Sequence, residues 1–139
     1  MFDFDWKIYA ALALVFFLMA LPVLHRKLYG KVPEMNADDL LQLNQNYQLI
    51  DIRPEKAFHE SHIENAISMP CTKFENCKQQ IFQLVSSNDQ TNPVVLVCDT
   101  DLISTRMAKK LIDMELENIF ILKGGFNFWK RKRLPLYKV

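Results

Sequence analysis

The sequence predicts an α/β domain with a mostly parallel sheet flanked by helices, preceded by one helix long enough to span a membrane. An uncharged apolar run lies near the N-terminus, and short β-branched runs then alternate with amphipathic stretches. Strands that alternate with helices favour a parallel sheet that is covered on both faces. Half of the 139 residues are apolar, which is enough for one core, and the length leaves room for one appendage.

The N-terminal run from Ile8 to Leu24 contains no charged residue. As a helix it spans roughly 25 Å, close to the roughly 30 Å of a bilayer's hydrocarbon core. Asp3 and Asp5 precede the run and basic residues follow it, whereas a signal peptide starts with basic residues and ends at a small-residue cleavage site. We therefore favour an uncleaved anchor over a cleaved signal peptide.

The charges beside this run also predict an orientation. Residues 1–5 are a short acidic tail, residues 6–25 the membrane span, and residues 26–33 a basic juxtamembrane linker. By the positive-inside rule the tail lies outside, and the domain of residues 34–139 lies in the cytoplasm as part of a single-pass inner-membrane protein. The chain has three cysteines, a small and odd number that does not indicate a disulfide framework. Reduced thiols fit a reducing compartment such as the cytoplasm.

The first half of the domain contains two predicted strands and three predicted helices. Asn36, followed by Asp38 and Asp39, predicts a helix start, because acids are favourable in the first turn. The elements that follow are a strand at 47–53 ended by Pro54, a short helix at 54–60, a short strand at 66–70 and an amphipathic helix from Lys73 to Val85.

The second half is organised around the apolar run Pro93–Val97, which predicts a strand buried on both faces. A polar loop at 86–92 leads into it, and an amphipathic helix is predicted after Ser104, with Ser104 or Thr105 as its cap. The closing elements are a buried strand at 118–122, a Gly124–Gly125 turn, an aromatic helix over 126–129 and the segment 134–136.

Cys98 is the candidate reactive residue, because it stands where the central strand ends and a loop leads into a helix. Open α/β sheets carry their chemistry at this edge, and a helix start lowers the pKa of a nearby thiol. We expect an exposed thiol in a cradle of main-chain N–H groups. Asp99 and Asp101 act in the opposite direction, because carboxylates raise a thiol pKa and repel anions. The alternative is a partly buried cysteine in an idle site.

The other candidate sites are weaker. Cys77 lies on the apolar face of its helix, which predicts a core thiol. Cys71 is expected to be a plain surface or core thiol, although an approach to Cys98 stays open. The spacing of His, Cys and acidic residues suggests no metal site, and we expect no cofactor. The net charge of +1 gives no argument for a nucleic-acid partner. A phosphatase-type site needs an arginine where the chain has Ser104.

Several segments together resemble the rhodanese family of sulfurtransferase domains, over residues 34–139. The matching segments are 49–53 with its Asp-x-Arg, 58–70 with a Gly-His-Ile-x-Gly-Ala-like pattern, 94–98 with the cysteine, 122–129 with Leu-x-Gly-Gly-x-x-x-Trp, and Leu134–Pro135. The whole chain looks like the bacterial membrane-anchored, single-domain rhodanese-like proteins.

The resemblance implies a small α/β fold around a parallel sheet and a persulfide-carrying Cys98. It implies that the loop after this cysteine cradles the substrate; its residues are Asp99, Thr100, Asp101, Leu102, Ile103 and Ser104. We interpret Asp51 and Arg53 as a structural ion pair beneath the site, and His62 as a structural hydrogen-bonding residue.

The chain departs from the family pattern at several glycine positions. The active loop of the family typically has glycine at its third place and often arginine at its fifth, where this chain has Asp101 and Ile103. Further residues stand where the family usually has glycine, namely Ser61, Asn65, Glu115 and Arg133.

Two functional hypotheses follow from the sequence. The first is a sulfurtransferase that passes sulfane sulfur through Cys98; the acidic loop favours a protein or low-molecular-weight persulfide donor over thiosulfate. Its partners are the bilayer, through residues 6–25, and a thiol or protein that donates or accepts sulfur. The second is a non-catalytic module that binds a membrane or peripheral protein, with the loop as its docking surface.

Overall fold

The computed structural model describes residues 5–88 and 91–139, with the backbone alone for residues 25–29. The chain divides into two compact units, Met1–Lys31 and Val32–Val139. Most of the expected acidic tail, residues 1–4, lies outside the described residues, as do Asp89 and Gln90 of the predicted polar loop.

The described part of the first unit contains one helix, α1, which spans Trp6–Tyr29. Its segment Trp6–Leu24 has a mean hydropathy of 2.2 and is long and apolar enough to cross a membrane, although a signal sequence passes the same test of length and composition. The helix continues beyond the expected end at residue 25, because no helix-breaking residue follows Pro22 until Gly30. Residues 26–29 of the expected linker are therefore helical.

The second unit is built on a five-stranded parallel sheet with the order β1-β5-β4-β2-β3. Its elements are β1 (Glu34–Met35), α2 (Ala37–Gln42), β2 (Gln48–Asp51), α3 (Glu55–Glu60), β3 (Ile67–Ser68), α4 (Phe74–Ser87), β4 (Val94–Val97), α5 (Leu102–Asp113), β5 (Ile119–Leu122) and α6 (Gly125–Arg131). The predicted α/β class with a central parallel sheet flanked by helices is confirmed.

The sheet separates two apolar clusters, because successive strand residues point to opposite faces. One cluster joins α4 and α5 to Ile50, Leu96 and Ile121. The other joins α2 and α6 to Leu49, Val95 and Leu122. All four residues of β4 are buried, which explains why its sequence is uniformly apolar rather than alternating.

Several elements differ from the prediction in their bounds, and three of the differences have a clear physical reason. Strand β1 was not predicted, because two residues show no periodicity; it pairs in parallel with β5. Helix α4 reaches Ser87, two residues into the predicted loop. Helix α5 begins at Leu102 and not after Ser104, since the Thr105 N–H already donates to the Asp101 carbonyl, at 2.9 Å.

Three of the four residues that replace the expected glycines adopt positive φ angles, namely Asn65 at 59°, Glu115 at 68° and Arg133 at 55°. Ser61 is extended, with φ at −169°, so that position requires no glycine. The positive φ at Glu115 has a local cause. Helix α5 ends in a Schellman motif, in which the N–H groups of Leu116 and Glu115 donate back to Leu111 and Ile112.

Candidate active site

Cys98 directly follows β4, the central strand of the sheet. Its residue is only 4% exposed and belongs to the apolar cluster beneath α4 and α5. The expectation of an exposed thiol is therefore wrong for this conformation. The reason lies in the loop, which folds over the sulfur.

Two residues of the loop contact the Cys98 sulfur. The thiol donates to the Thr100 carbonyl oxygen. The Ser104 N–H donates to Sγ over 3.3 Å, and the Ser104 hydroxyl oxygen also lies 3.3 Å from Sγ. Within the described residues one main-chain N–H, not a ring of them, reaches the sulfur, so the expected cradle is incomplete.

Helix α6 holds the start of the loop from below. The N–H of Phe126 donates to the Cys98 carbonyl at 2.8 Å, and that of Asn127 to the Asp99 carbonyl at 3.0 Å. Gly125 makes this approach possible: a Cβ there would lie 2.4 Å from the Thr100 oxygen and 2.6 Å from the Cys98 oxygen. Its φ of +64° also favours glycine. The predicted Gly124–Gly125 turn thus also forms the floor of the loop.

The outer side of the loop carries acidic and apolar side chains. Asp99 and Thr100 are exposed, and Asp101 is partly exposed. Leu102 and Ile103 are 68% and 47% exposed. Ser104, in contrast, is fully buried beside the sulfur, and its hydroxyl donates to the Asp101 carbonyl at 3.2 Å.

Asp51 and Arg53 form a buried ion pair at the end of β2. The Arg53 guanidinium donates to Asp51 Oδ2 at 2.8 Å and to the Ser61 carbonyl at 2.7 Å. Its Cζ lies 3.6 Å from the centre of the Phe126 ring. Since the N–H of Phe126 binds the Cys98 carbonyl, this aromatic residue connects the ion pair to the loop. Sequence reasoning missed this role of Phe126, whose only signal was its place after the paired glycines.

His62 directly follows Ser61, whose carbonyl binds Arg53. Its Nδ1 is 2.9 Å from the Phe58 carbonyl oxygen, and its ring stacks on the Phe58 ring at 4.0 Å. Its main chain exchanges two hydrogen bonds with Tyr137, at 2.9 and 2.8 Å. These contacts hold α3 and the C-terminal segment, and in the described part of the chain none joins His62 to the Cys98 side chain.

The three cysteines share one apolar cluster. Cys77 is buried there with Cys98, and the half-buried Cys71 packs against it. Burial, and secondarily the neighbouring Cys71 thiol, raises the pKa of Cys77 to about 12. Cys77 is thus an unreactive core thiol at neutral pH. No group of His, Cys, Asp or Glu among the described residues is arranged to hold a metal ion.

Known proteins resemble this chain in sequence. Residues 36–132 match the family model of the rhodanese-like domain. Two relatives are thiosulfate sulfurtransferases named GlpE. That of Haemophilus influenzae is 30% identical over 108 residues, or 78% of this chain and 94% of the relative. That of Vibrio cholerae is 25% identical over 103 residues, or 74% and 91%.

Solved structures share the fold. The rhodanese-like domain of an Anabaena protein has a TM-score of 0.61 at 20% identity, covering 77% of this chain and 80% of the other. A rhodanese-related protein of Thermoplasma volcanium has a TM-score of 0.61 at 20% identity, covering 76% and 97%. The family model spans most of the chain, from residue 36 to residue 132, and includes both Cys98 and α6. On this evidence the chain belongs to the rhodanese-like domain family.

Proposed function

We propose that this domain is a sulfurtransferase that carries sulfane sulfur as a persulfide on Cys98. The observation that carries the proposal is the place of the sulfur: Sγ lies at the start of α5 and accepts the Ser104 N–H over 3.3 Å. A helix start stabilises a thiolate or a persulfide anion. The GlpE relatives, named thiosulfate sulfurtransferases, support the same chemistry.

The reaction has two displacement steps. In the first, the Cys98 thiolate attacks the outer sulfur of a persulfide donor, R–S–SH; the S–S bond breaks, Cys98–S–SH forms and R–S⁻ leaves. In the second, an acceptor thiolate attacks the outer sulfur of Cys98–S–SH, which releases the Cys98 thiolate and forms R′–S–SH. Sulfur is passed on at each step and no external oxidant or reductant is consumed.

The charge of the loop supports a persulfide donor over thiosulfate. Asp99 and Asp101 lie on the loop that covers the sulfur, and Asp99 is exposed while Asp101 is partly exposed. Thiosulfate carries two negative charges, so carboxylates near its approach lower its local concentration and its affinity. A protein persulfide or a low-molecular-weight persulfide presents less negative charge at the reacting end.

The intact mass of the full chain, measured after incubation with separate donors, tests this proposal. A low-molecular-weight persulfide should add the mass of one sulfur atom, thiosulfate should add less of it, and Cys98→Ala should add none. Cys71→Ala is the matched control, since it removes a half-buried thiol of the same cluster and should leave the adduct intact. Failure of every donor to modify Cys98 would overturn the proposal.

A second function is supported by the buried sulfur and the apolar loop surface. Cys98 is 4% exposed while Leu102 and Ile103 project into solvent, which suits a non-catalytic module that docks a membrane or peripheral protein. Under this hypothesis no donor loads Cys98, and photocrosslinkers placed at Leu102 capture the same partner from wild-type and Cys98→Ala membranes.

The proposal extends to a location. We propose that residues 6–25 anchor the chain in the inner membrane and that the domain faces the cytoplasm, because basic residues follow the apolar run and acidic residues precede it. A reporter active only in the cytoplasm, fused through a spacer after Val139, should be active. A signal from a periplasmic reporter would reverse the orientation, and a shortened mature N-terminus would indicate a cleaved signal peptide.

A further inference from the structure

We propose that residue 101 controls the reactivity of Cys98 by setting how readily the peptide between Thr100 and Asp101 turns over. The inference rests on the proposed sulfur transfer for its purpose, but its chemistry concerns the thiol alone. In the observed conformation this peptide directs its carbonyl at the sulfur. Under this proposal, transfer takes place from the opposite orientation, in which the N–H of residue 101 is directed at the sulfur.

The hydrogen bonds of the loop leave this one peptide free to turn. The carbonyls of Cys98 and Asp99 are held by α6, and that of Asp101 accepts from Ser104 and Thr105 at the start of α5. The Thr100 carbonyl differs from these: within the described residues its donor is the Cys98 thiol itself. Loss of the thiol proton therefore removes the hydrogen bond that keeps this carbonyl inward and replaces it with repulsion.

The torsion angles of Asp101 define what the turn-over requires. Its φ of −96° and ψ of 1° are those of the third residue of a type I turn. Turning over the preceding peptide converts such a turn to type II, in which the same residue needs a φ of about +80° and a ψ near 0°. Glycine adopts that conformation freely, asparagine adopts it less readily, and residues with larger or non-polar side chains resist it.

The turned-over state gives the sulfur a second main-chain donor. The N–H of residue 101 would join that of Ser104, so two donors would stabilise the thiolate and, after the first displacement, the persulfide anion. It would also move the Thr100 oxygen away from the position that it now occupies against Gly125. No bond is made or broken in this change, and the thiol proton passes to solvent.

The charged groups around the site are few, and the test must separate them from the backbone effect. Asp99 and Asp101 belong to the loop. The opposite charges of Asp51 and Arg53 form a buried ion pair against the Phe126 ring, so they contribute no net charge. The others lie on the neighbouring helices: Arg106 of α5, over the Phe74 ring, and the mutually paired Glu75 and Lys78 of α4. Two further titratable groups, the thiols of Cys71 and Cys77, share the apolar cluster of Cys98. Substitutions at position 101 remove the Asp101 carboxylate and leave all the other groups unchanged.

Three variants of one residue test the proposal: Asp101→Gly, Asp101→Asn and Asp101→Ala. Each removes the same charge, but they differ in their tolerance of positive φ. The readout is the rate at which neutral iodoacetamide alkylates Cys98 in the full chain, followed by peptide mass from neutral to alkaline pH. We expect Asp101→Gly to react about tenfold faster than Asp101→Ala, with the half-maximal rate at lower pH and Asp101→Asn in between.

Equal rates and equal pH profiles for the three variants would overturn the proposal, because charge alone would then explain any change. The test remains decisive if the glycine variant folds poorly, because the alkylation rate of Asp101→Asn must still exceed that of Asp101→Ala. Alkylation uses no sulfur donor, so it also separates the two proposals. A glycine variant that alkylates faster, in a chain that no donor can persulfidate, upholds the control by residue 101 and rejects the sulfurtransferase.

Discussion

The segments that follow β2 and β4 lie side by side at the carboxyl edge of the sheet, but they are held in different ways. After β2, the Arg53 side chain donates to Asp51 and to the Ser61 carbonyl, and its Cζ lies 3.6 Å from the centre of the Phe126 ring. After β4, the Cys98 sulfur has one carbonyl, one N–H and one hydroxyl around it. The first segment is a rigid support with matched charges, whereas the second depends on how a single peptide is oriented.

This difference explains at which positions the chain can carry residues that depart from the family pattern. The support retains the Asp-x-Arg, the paired glycines and the tryptophan; of these, Asp51, Arg53, Gly125 and Trp129 are buried, and Gly124 is half-buried. The departures at Asp101 and Ile103 fall on the exposed side of the loop, where a new side chain changes reactivity without removing packing. Stability and chemistry are therefore separable in this domain, and substitutions in the two segments should affect different measurements.

The largest effect is expected at the support. Arg53→Met leaves the Asp51 carboxylate buried without its partner, which should lower the free energy of unfolding by about 3–5 kcal/mol. The double variant Asp51→Leu/Arg53→Met should lose much less, because no charge remains buried. Urea unfolding followed by the fluorescence of buried Trp129, in a Trp6→Phe background, measures both. Equal losses in the single and double variants would mean that the pair is not the rigid element.

The floor of the loop should give the next largest effect. Gly125→Ala places a Cβ against two loop carbonyls at a positive φ, at a cost of about 2–3 kcal/mol in unfolding free energy. It should also expose Cys98 to alkylation. Gly124→Ala is the matched control: its φ of +75° is similar, but its nearest contacts are with the Phe128 side chain. If both variants alkylate equally, Gly125 does not hold the loop.

A gain is expected outside both segments, at the end of α5. Glu115→Gly should raise the free energy of unfolding by about 1 kcal/mol, because glycine relieves the strain of a φ of 68°. Arg133→Gly should behave alike, whereas Ser61→Gly should bring no gain, since Ser61 is extended. Cys98 alkylation should not change in any of these variants, and a change would link helix ends to the loop.

Helix α4 provides a second buried thiol, Cys77, that can be compared with Cys98. The pKa of Cys77 is raised to about 12, so the folded state keeps a proton that the unfolded state loses above its ordinary value of 9.0. Stability should therefore fall as pH rises through this interval, by about 1 kcal/mol between about pH 9 and about pH 10. Cys77→Val should remove this pH dependence. An unchanged slope in the variant would assign the loss to other groups.

Much of the fold follows from local patterns, but the state of the site does not. Four apolar residues in Val94–Val97 and the 3.6-residue spacing of α5 predict a strand and a helix. The two-residue β1 carries no such pattern and exists because β5 offers an open edge. The inward turn of the Thr100 carbonyl, the burial of Cys98 and the place of Phe126 over Arg53 depend on contacts between segments far apart in sequence, which composition and periodicity do not encode.

The pairing of Tyr137 with His62 has a practical consequence for anyone who handles this protein. The last residues are hydrogen-bonded to α3 and the residue that follows it: besides the pairing of Tyr137 with His62, the N–H of Val139 donates to the His59 carbonyl at 3.4 Å. An affinity tag joined directly to the final residue would strain these main-chain hydrogen bonds, and removal of the last few residues would break them. Purification tags and fusions therefore need a flexible spacer after residue 139. Without it, the preparation itself would disturb the segment after α3 whose Ser61 carbonyl binds Arg53.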